Sequence, residues 1–293
     1  MAALSHPGKI RRNNEDHYLA VRFERTARTL LTNLSAAEVP EDLTETGYGL
    51  VVADGVGGSA AGEVASSTAV RVLLDLALGT PDWIMTFDSS RAQEVLARME
   101  VRFRKVKEAF VQRAQADPAL TGMGTTMTLA CTAGSNLIIA HIGDSRAYLF
   151  RGGELHRLTH DQTVAQTLAD AGAIKPEEVA THPRRHILTG AITTRQVDIS
   201  TELHHLELAD GDQLLLCTDG LTDMWQLAQR RVPNFFPRAT RSGVTGTLSA
   251  SFPGAYFGIP VAATYAAKAP TAMPTKSRAI PTIFKALRIQ RLL

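Results

Sequence analysis

All 29 acidic residues of this 293-residue chain fall within residues 1–225, and none follows. The same stretch holds 21 of the 31 Lys and Arg, a balance of about −8 (21 basic against 29 acidic residues), while residues 226–293 carry ten basic residues and seven of the 13 prolines. A segment without acids cannot form internal ion pairs, and frequent proline interrupts both helices and central strands. The chain therefore divides near Met224–Arg230 into an expected folded domain, residues 1–225, and a basic, Pro/Ala-rich tail, residues 226–293, with no predicted fold. The overall charge of +2 conceals this asymmetry, and the 44% hydrophobic and 20% charged composition fits a soluble globular chain. Cys131 and Cys217 stand alone in apolar runs and read as buried thiols of a reducing compartment. The N-terminus lacks the apolar stretch of a secretory signal, and no run approaches the ~20 apolar residues of a spanning helix. The expectation is a cytoplasmic protein. The basic residues of the tail are spread thinly, so no nucleic-acid partner is expected.

Within residues 1–225 the hydrophobic period changes twice. GYGLVVAD (47–54) is an apolar strand that meets an acid and then glycines. Val64, Ala65, Ala69, Val72, Leu73 and Leu76 recur at helical spacing, as do Val95, Met99, Phe103, Val106 and Phe110. From Thr125 the pattern turns to short strands separated by turn residues, which predicts an antiparallel meander. DQTVAQTLADAG and KPEEVATH read as short helices, the second opened by Pro176. VDISTELHHLEL and DQLLLCTD return to strand, with ADGD predicted as a hairpin turn between them. Long helices between runs of antiparallel strands predict an α+β architecture in which helices cover sheets.

Four stretches place acids at strand ends or turns: RRNNEDHY with Arg11, Glu15 and Asp16; VVADGVGG with Asp54 and Gly55; HIGDSRAY with Asp144; LLLCTDGLTD with Asp219 and Asp223. Any one Asp-Gly pair is most simply a turn, and an acid opening a helix simply complements its dipole. Their combination is less easily structural. Carboxylates brought together at strand ends repel and raise one another's pKa unless a cation offsets them. An oxygen-only donor set, without a His or Cys cluster, points to Mg2+ or Mn2+. Two such ions lower the pKa of a water and aim it at a phosphoryl group, and Arg11 suits a bidentate grip on phosphate oxygens. A glycine at position 55 lets its carbonyl approach the same ion.

RRNNED, VVADGVGGSAAGEVAS, GMGTTMTLA, LIIAHIGDSRAYLFRGGELHRLTHDQT and LLLCTDGLTD occur in one order over residues 5–225. Together they resemble the bacterial branch of the metal-dependent PPM, or type 2C, protein serine/threonine phosphatases. The resemblance implies a four-layer α-β-β-α sandwich of two antiparallel sheets flanked by helices, with a two-ion Mn2+ or Mg2+ centre at one end. It implies that Asp16, Asp54, the Gly55 carbonyl and Asp219 are ligands of that centre. Glu15 matches a neighbouring acid, Arg11 the phosphate-binding arginine, and Asp144 and Asp223 the acids around a third ion. The implied substrates are phosphoserine and phosphothreonine in proteins, and the implied partner is a Ser/Thr kinase of the same cell.

The sequence also departs from the family. Val56 stands where some members carry a histidine, and His160-Asp161 where most carry Asp-His; neither is given a role. His17, His204 and His205 read as hydrogen-bonded structural residues. The family continues after its second Asp-Gly strand to a Gly-x-Asp-Asn stretch whose Asp is a metal ligand, and residues 226–293 contain no Asp. The sandwich is therefore expected to be incomplete at its C-terminal end. Three readings of the tail follow: a shifted reading frame near codon 225, which is favoured; a basic tail that binds a membrane surface or nucleic acid, which the thin spread of its charges disfavours; or a replacement in a phosphoprotein-binding domain without catalysis.

Overall fold

The computed structural model describes residues 1–8, 13–35, 38–56, 59–79, 92–195, 199–223 and 283–286. All of them belong to one compact unit. The first strand, β1 (Asp16–Arg28), pairs along its full length with β2 (Asp42–Val56), from Asp16 opposite Asp54 to Arg28 opposite Asp42. This strand was not anticipated, although His17, Leu19, Val21 and Phe23 alternate inward along it. β2 also runs farther than the expected 47–54: it begins at Asp42, and Gly55 and Val56 continue the strand where a turn was expected.

Two helices follow, α1 (Ser59–Leu78) and α2 (Ala92–Ala116). The next strands are β3 (Gly124–Thr125), β4 (Met127–Ala133), β5 (Asn136–Ile142), β6 (Arg146–Arg151) and β7 (Glu154–Arg157). A short helix α3 (Val164–Asp170) is capped by the Thr163 side chain, which accepts from the Gln166 amide. KPEEVATH forms the expected short helix, of 3₁₀ type, over Pro176–Thr181 with Pro176 at its start. Strands β8 (Ile192–Thr193), β9 (Glu202–Glu207) and β10 (Gln213–Cys217) complete residues 1–225.

The strands form two sheets. The first has the order β8-β3-β2-β4-β5-β9, with β1 added beside β2. The second contains β10, β6 and β7, and a tail strand β11 (Ile283–Ala286) pairs parallel with β10. The expected meander is therefore divided. β4–β5 and β6–β7 are antiparallel hairpins in different sheets. Likewise β9 pairs with β5 and β10 with β6, so residues 208–212 cross between sheets and do not close a hairpin. The Asp212 carboxylate serves that crossing by accepting from the Ala209 amide at 2.8 Å and from Arg151.

Alternation along β2 separates two cores. Val51, with Leu129 and Ile138, faces the helical stripe of Ala65, Ala69 and Leu73 on α1 and Met99, Phe103, Val106 and Phe110 on α2. Leu50 and Val52, with Ala130, Leu137 and Ile139, face Ala147, Leu149, Leu214 and Leu216 of the second sheet. Each of the Val, Leu, Ile, Met and Phe side chains among them contributes roughly 1.5–3 kcal/mol on removal from water. Among the described residues this gives three layers: helix pair, sheet, sheet. The expected fourth, helical layer falls outside them. No helix among the described residues is long and apolar enough to cross a membrane.

Candidate metal and phosphate site

The register of the two sheets gathers the acids at one end. Asp16 begins β1 opposite Asp54 near the end of β2. In the second sheet Arg146 pairs with Cys217, which puts Asp144, just before β6, beside Asp219, just after β10. Two hydrogen bonds tie these ends together. Thr218 donates its hydroxyl to Asp16 Oδ2 at 3.0 Å, and the Thr126 and Ser145 hydroxyls lie 2.8 Å apart.

On the first sheet, the backbone of Asp54 is fixed on both sides. Its carbonyl accepts from the Thr126 amide and the Thr125 hydroxyl, both at 2.9 Å. Gly55 donates its N–H to the Glu15 carbonyl at 3.0 Å. The same carbonyl accepts from the Ser66 hydroxyl of α1 at 2.5 Å, which anchors the start of β1 to the helix. Gly55 is glycine for a reason beyond access of its carbonyl to an ion: a Cβ there would sit 2.1 Å from the Gly62 carbonyl oxygen. At Gly62 a Cβ would in turn lie 3.2 Å from the Glu15 carboxyl carbon, so the two glycines let α1 close directly onto the acid-bearing strands. His17, expected to be structural, lies with Nδ1 2.9 Å from the Ser66 hydroxyl.

On the second sheet, Gly143 adopts φ 109°, and a Cβ there would lie 2.5 Å from Thr126 Cβ, so the turn that presents Asp144 demands glycine. Gln162 clasps this turn by donating its backbone N–H to the Gly143 carbonyl at 2.7 Å. Buried His141 places Nε2 3.1 Å from both the Gly143 and His160 carbonyls. Two acceptors require Nε2 to carry the proton, so Nδ1 accepts from the Thr128 hydroxyl at 2.8 Å.

Electrostatics distinguish Asp144. Burial, then the nearby carboxylates of Asp219 and Asp161, push its carboxyl well above the usual range, and Arg146 only partly offsets them. Asp161 is itself neutralised: Arg146 donates to it through Nε at 2.9 Å and through Nη2, and Arg157 also pairs with it. Burial alone would lower the Arg146 guanidinium, and Asp161 reverses this and holds it above its ordinary value. Thus Asp161 braces the turn and does not enter the acid cluster.

His186, in the loop between α3 and β8, was not anticipated. Its Nδ1 lies 3.5 Å from Asp219 Oδ2 and its Nε2 3.4 Å from Asp223 Oδ2. Asp144, His186 and Asp219 each offer one donor atom, all within 4.8 Å of one another. This set of clustered carboxylates with one imidazole, among them a buried acid whose pKa is raised by its neighbours, fits a divalent cation. Asp219 opens a helical stretch that contains Asp223, with residues 219–223 described. Arg11 lies outside the described residues. Val56 ends β2 on the surface, and His204 and His205 pair with Glu202 and Asn136 away from the acids.

Residues 42–251 match the family "Protein phosphatase 2C", a match that runs past residue 225 into the compositionally distinct stretch. The serine/threonine protein phosphatase PstP of Mycobacterium tuberculosis is 37% identical over 223 residues, covering 76% of this chain and 36% of PstP. Protein phosphatase PhpP of Streptococcus pneumoniae is 33% identical over 224 residues, covering 76% of this chain and 79% of PhpP. The crystal structure of the M. tuberculosis phosphatase PstP/Ppp superposes with a TM-score of 0.59 at 37% identity, covering 76% of this chain and 79% of that one. The chain thus spans about a third of PstP and most of PhpP. With the family matched over more than half its length and the acids arrayed at one end of two stacked sheets, this chain belongs to the protein phosphatase 2C family.

Proposed function

We propose that the chain hydrolyses phosphoserine and phosphothreonine in proteins, using two Mn2+ or Mg2+ ions and a third, more weakly held one. The observation that carries this reading is the convergence of Asp16, Asp54, Asp144 and Asp219 at the paired ends of two sheets. In this reading Asp16, Asp54, the Gly55 carbonyl and Asp219 hold the central ions, Glu15 is the neighbouring acid, and Asp144 and Asp223 serve the outer ion. When bound, such ions supply Lewis acidity and a water that is nucleophilic at neutral pH. The residues of the chain do the rest. Thr218 fixes the Asp16 carboxylate and the Thr125–Thr126 pair the Asp54 backbone before substrate arrives, and Arg11 grips the phosphoryl oxygens. Water adds to phosphorus, the P–O bond to the serine or threonine oxygen breaks, and that oxygen leaves as the free hydroxyl. PstP and PhpP, both named as protein phosphatases, support the reaction class.

We place the reaction in the cytoplasm, on substrates phosphorylated by a Ser/Thr kinase, and assign it to residues 1–225, with residues 226–293 as a basic tail of which Ile283–Ala286 pairs with β10. Because that tail offers no carboxylate, turnover is expected below that of relatives with a complete ligand set. The same observation favours a second reading, a domain that holds phosphoproteins without cleaving them. A Mn2+-dependent assay with a phosphothreonine peptide, run on the full chain and on Asp54→Ala, decides between them. Phosphate release abolished in the variant supports the enzyme. Absence of release with retained peptide binding supports the binding domain.

A further inference from the structure

We propose that His186 is a nitrogen ligand of the outer ion, through Nδ1, and that Asp223 orients it from behind and does not ligate the ion. The proposal rests on the metal-dependent reading above and sharpens it. The ring stands between two carboxylates, Nδ1 toward Asp219 at 3.5 Å and Nε2 toward Asp223 at 3.4 Å. Both separations exceed the 2.7–3.2 Å of a good N–H···O hydrogen bond. The Nδ1–Asp219 separation does match the spacing of neighbouring donors on one ion, because metal–ligand distances of 2.0–2.2 Å put adjacent donor atoms about 3.0–3.5 Å apart. Asp144 completes the set, with its donor oxygen within 4.8 Å of those of His186 and Asp219. It is 8% exposed, and no other side chain among the described residues donates a hydrogen bond to it. Its carboxylate accepts a hydrogen bond from its own backbone N–H, and Arg146 only partly offsets the neighbouring Asp219 and Asp161, so a cation among these groups is favoured.

Ligation through Nδ1 leaves Nε2–H to point at Asp223. A carboxylate behind a metal-bound imidazole fixes the tautomer and orientation of the ring and raises its basicity. The position of Asp223 is explained in this way without making it a ligand. An imidazole in an otherwise oxygen-only set also changes metal preference. Mg2+ favours oxygen donors, whereas Mn2+, Co2+ and Zn2+ accept nitrogen, so His186 biases this site toward the transition ions.

The test uses the full chain loaded with Mn2+, with pulsed EPR to detect ¹⁴N coupled to the ion and calorimetry to read stoichiometry and affinity. The expected result is an imidazole nitrogen coupling that is absent from His186→Ala, with the weakest Mn2+ site lost or weakened about 10-fold or more. Asp223→Asn is expected to keep the nitrogen coupling while lowering affinity at that site several-fold. Circular dichroism and thermal melts of both variants separate ligand loss from unfolding. If Mn2+ binds in an Asp54-dependent manner but no nitrogen coupling is lost in His186→Ala, the proposal is overturned and the phosphatase reading stands. If the chain binds no Mn2+ at all, both fall.

Discussion

Thr218 donates its hydroxyl to Asp16 Oδ2 at 3.0 Å, joining the end of β10 in one sheet to the start of β1 in the other. Both residues are buried, so the bond operates in a medium where an uncompensated carboxylate is costly. A hydrogen bond to a charged group contributes roughly 1.5–3 kcal/mol. Thr218→Val is therefore expected to weaken Mn2+ binding at the central site by about 10-fold, while Thr218→Ser retains affinity. Isothermal titration of the two variants checks this. Equal affinities would show that Asp16 is positioned by β1 alone.

Gly55 and Gly62 make a separate claim about packing. Gly55→Ala would place a methyl 2.1 Å from the Gly62 carbonyl oxygen, so backbone must move. The expected cost is at the upper end of overpacking, about 3 kcal/mol. Gly134→Ala is the control: it has φ 58° but nothing within 4 Å of the added methyl, and only the left-handed conformation costs, about 1–2 kcal/mol. Urea midpoints for the two variants measure the difference. A Gly55→Ala protein as stable as Gly134→Ala would mean that the contact with α1 is softer than its geometry.

These glycines also mark how far the sequence could be read. The apolar run ending in Asp54-Gly55 located the site, because a buried strand delivering an acid is a local pattern. Asp144 and Asp219 were legible for the same reason, and the helical stripe from Val95 to Phe110 needed only spacing. The partner of Gly55 was not legible, since contact with Gly62 depends on how α1 returns over the sheet. The ADGD turn shows a sharper limit. Its chemistry suits a hairpin, yet β9 and β10 enter different sheets, and only pairing with β5 and β6 decides that. His186 sits in THPRRHILTG, a polar loop without periodicity, and acquires meaning only when β8 and the 219–223 turn bring it to the acids. β1 is a different case: His17, Leu19, Val21 and Phe23 alternate inward, but the outward Tyr18 and Ala20 carry no charge, so the period-2 contrast in the sequence is weak.

His141 gives the fold an acid-sensitive point. Burial lowers its pKa, and Glu202 and Asp161 raise it without reversing that shift. The folded state therefore binds fewer protons there than the unfolded chain does. The stabilisation is complete above the unfolded value of about 6.5 and is lost as pH falls from there toward the lower folded value. Asp144 acts in the opposite direction, because its raised pKa favours the folded state as it protonates. Comparing wild type with His141→Gln isolates the histidine: the drop in urea midpoint between pH 7.5 and 5.5 is expected to be smaller in the variant. Identical drops would assign the acid sensitivity to other groups.

Asp161 is the residue whose loss the fold should tolerate least. Its side chain is 5% exposed and neutralises two guanidiniums, Arg146 at 17% and Arg157 at 32% exposure. Asp161→Asn keeps the shape and removes the charge, leaving two partly buried cations without their counter-ion, a change that typically costs about 3–5 kcal/mol. Replacing Arg146 as well, in Asp161→Asn/Arg146→Met, removes one of the stranded charges and is expected to recover part of that loss. A double-mutant cycle on urea unfolding gives the coupling. A coupling above about 1 kcal/mol would establish the pair as a brace beneath Asp144. Simple additivity would show that solvent reaches Arg146 and that the turn is held by His141 and Gln162 alone.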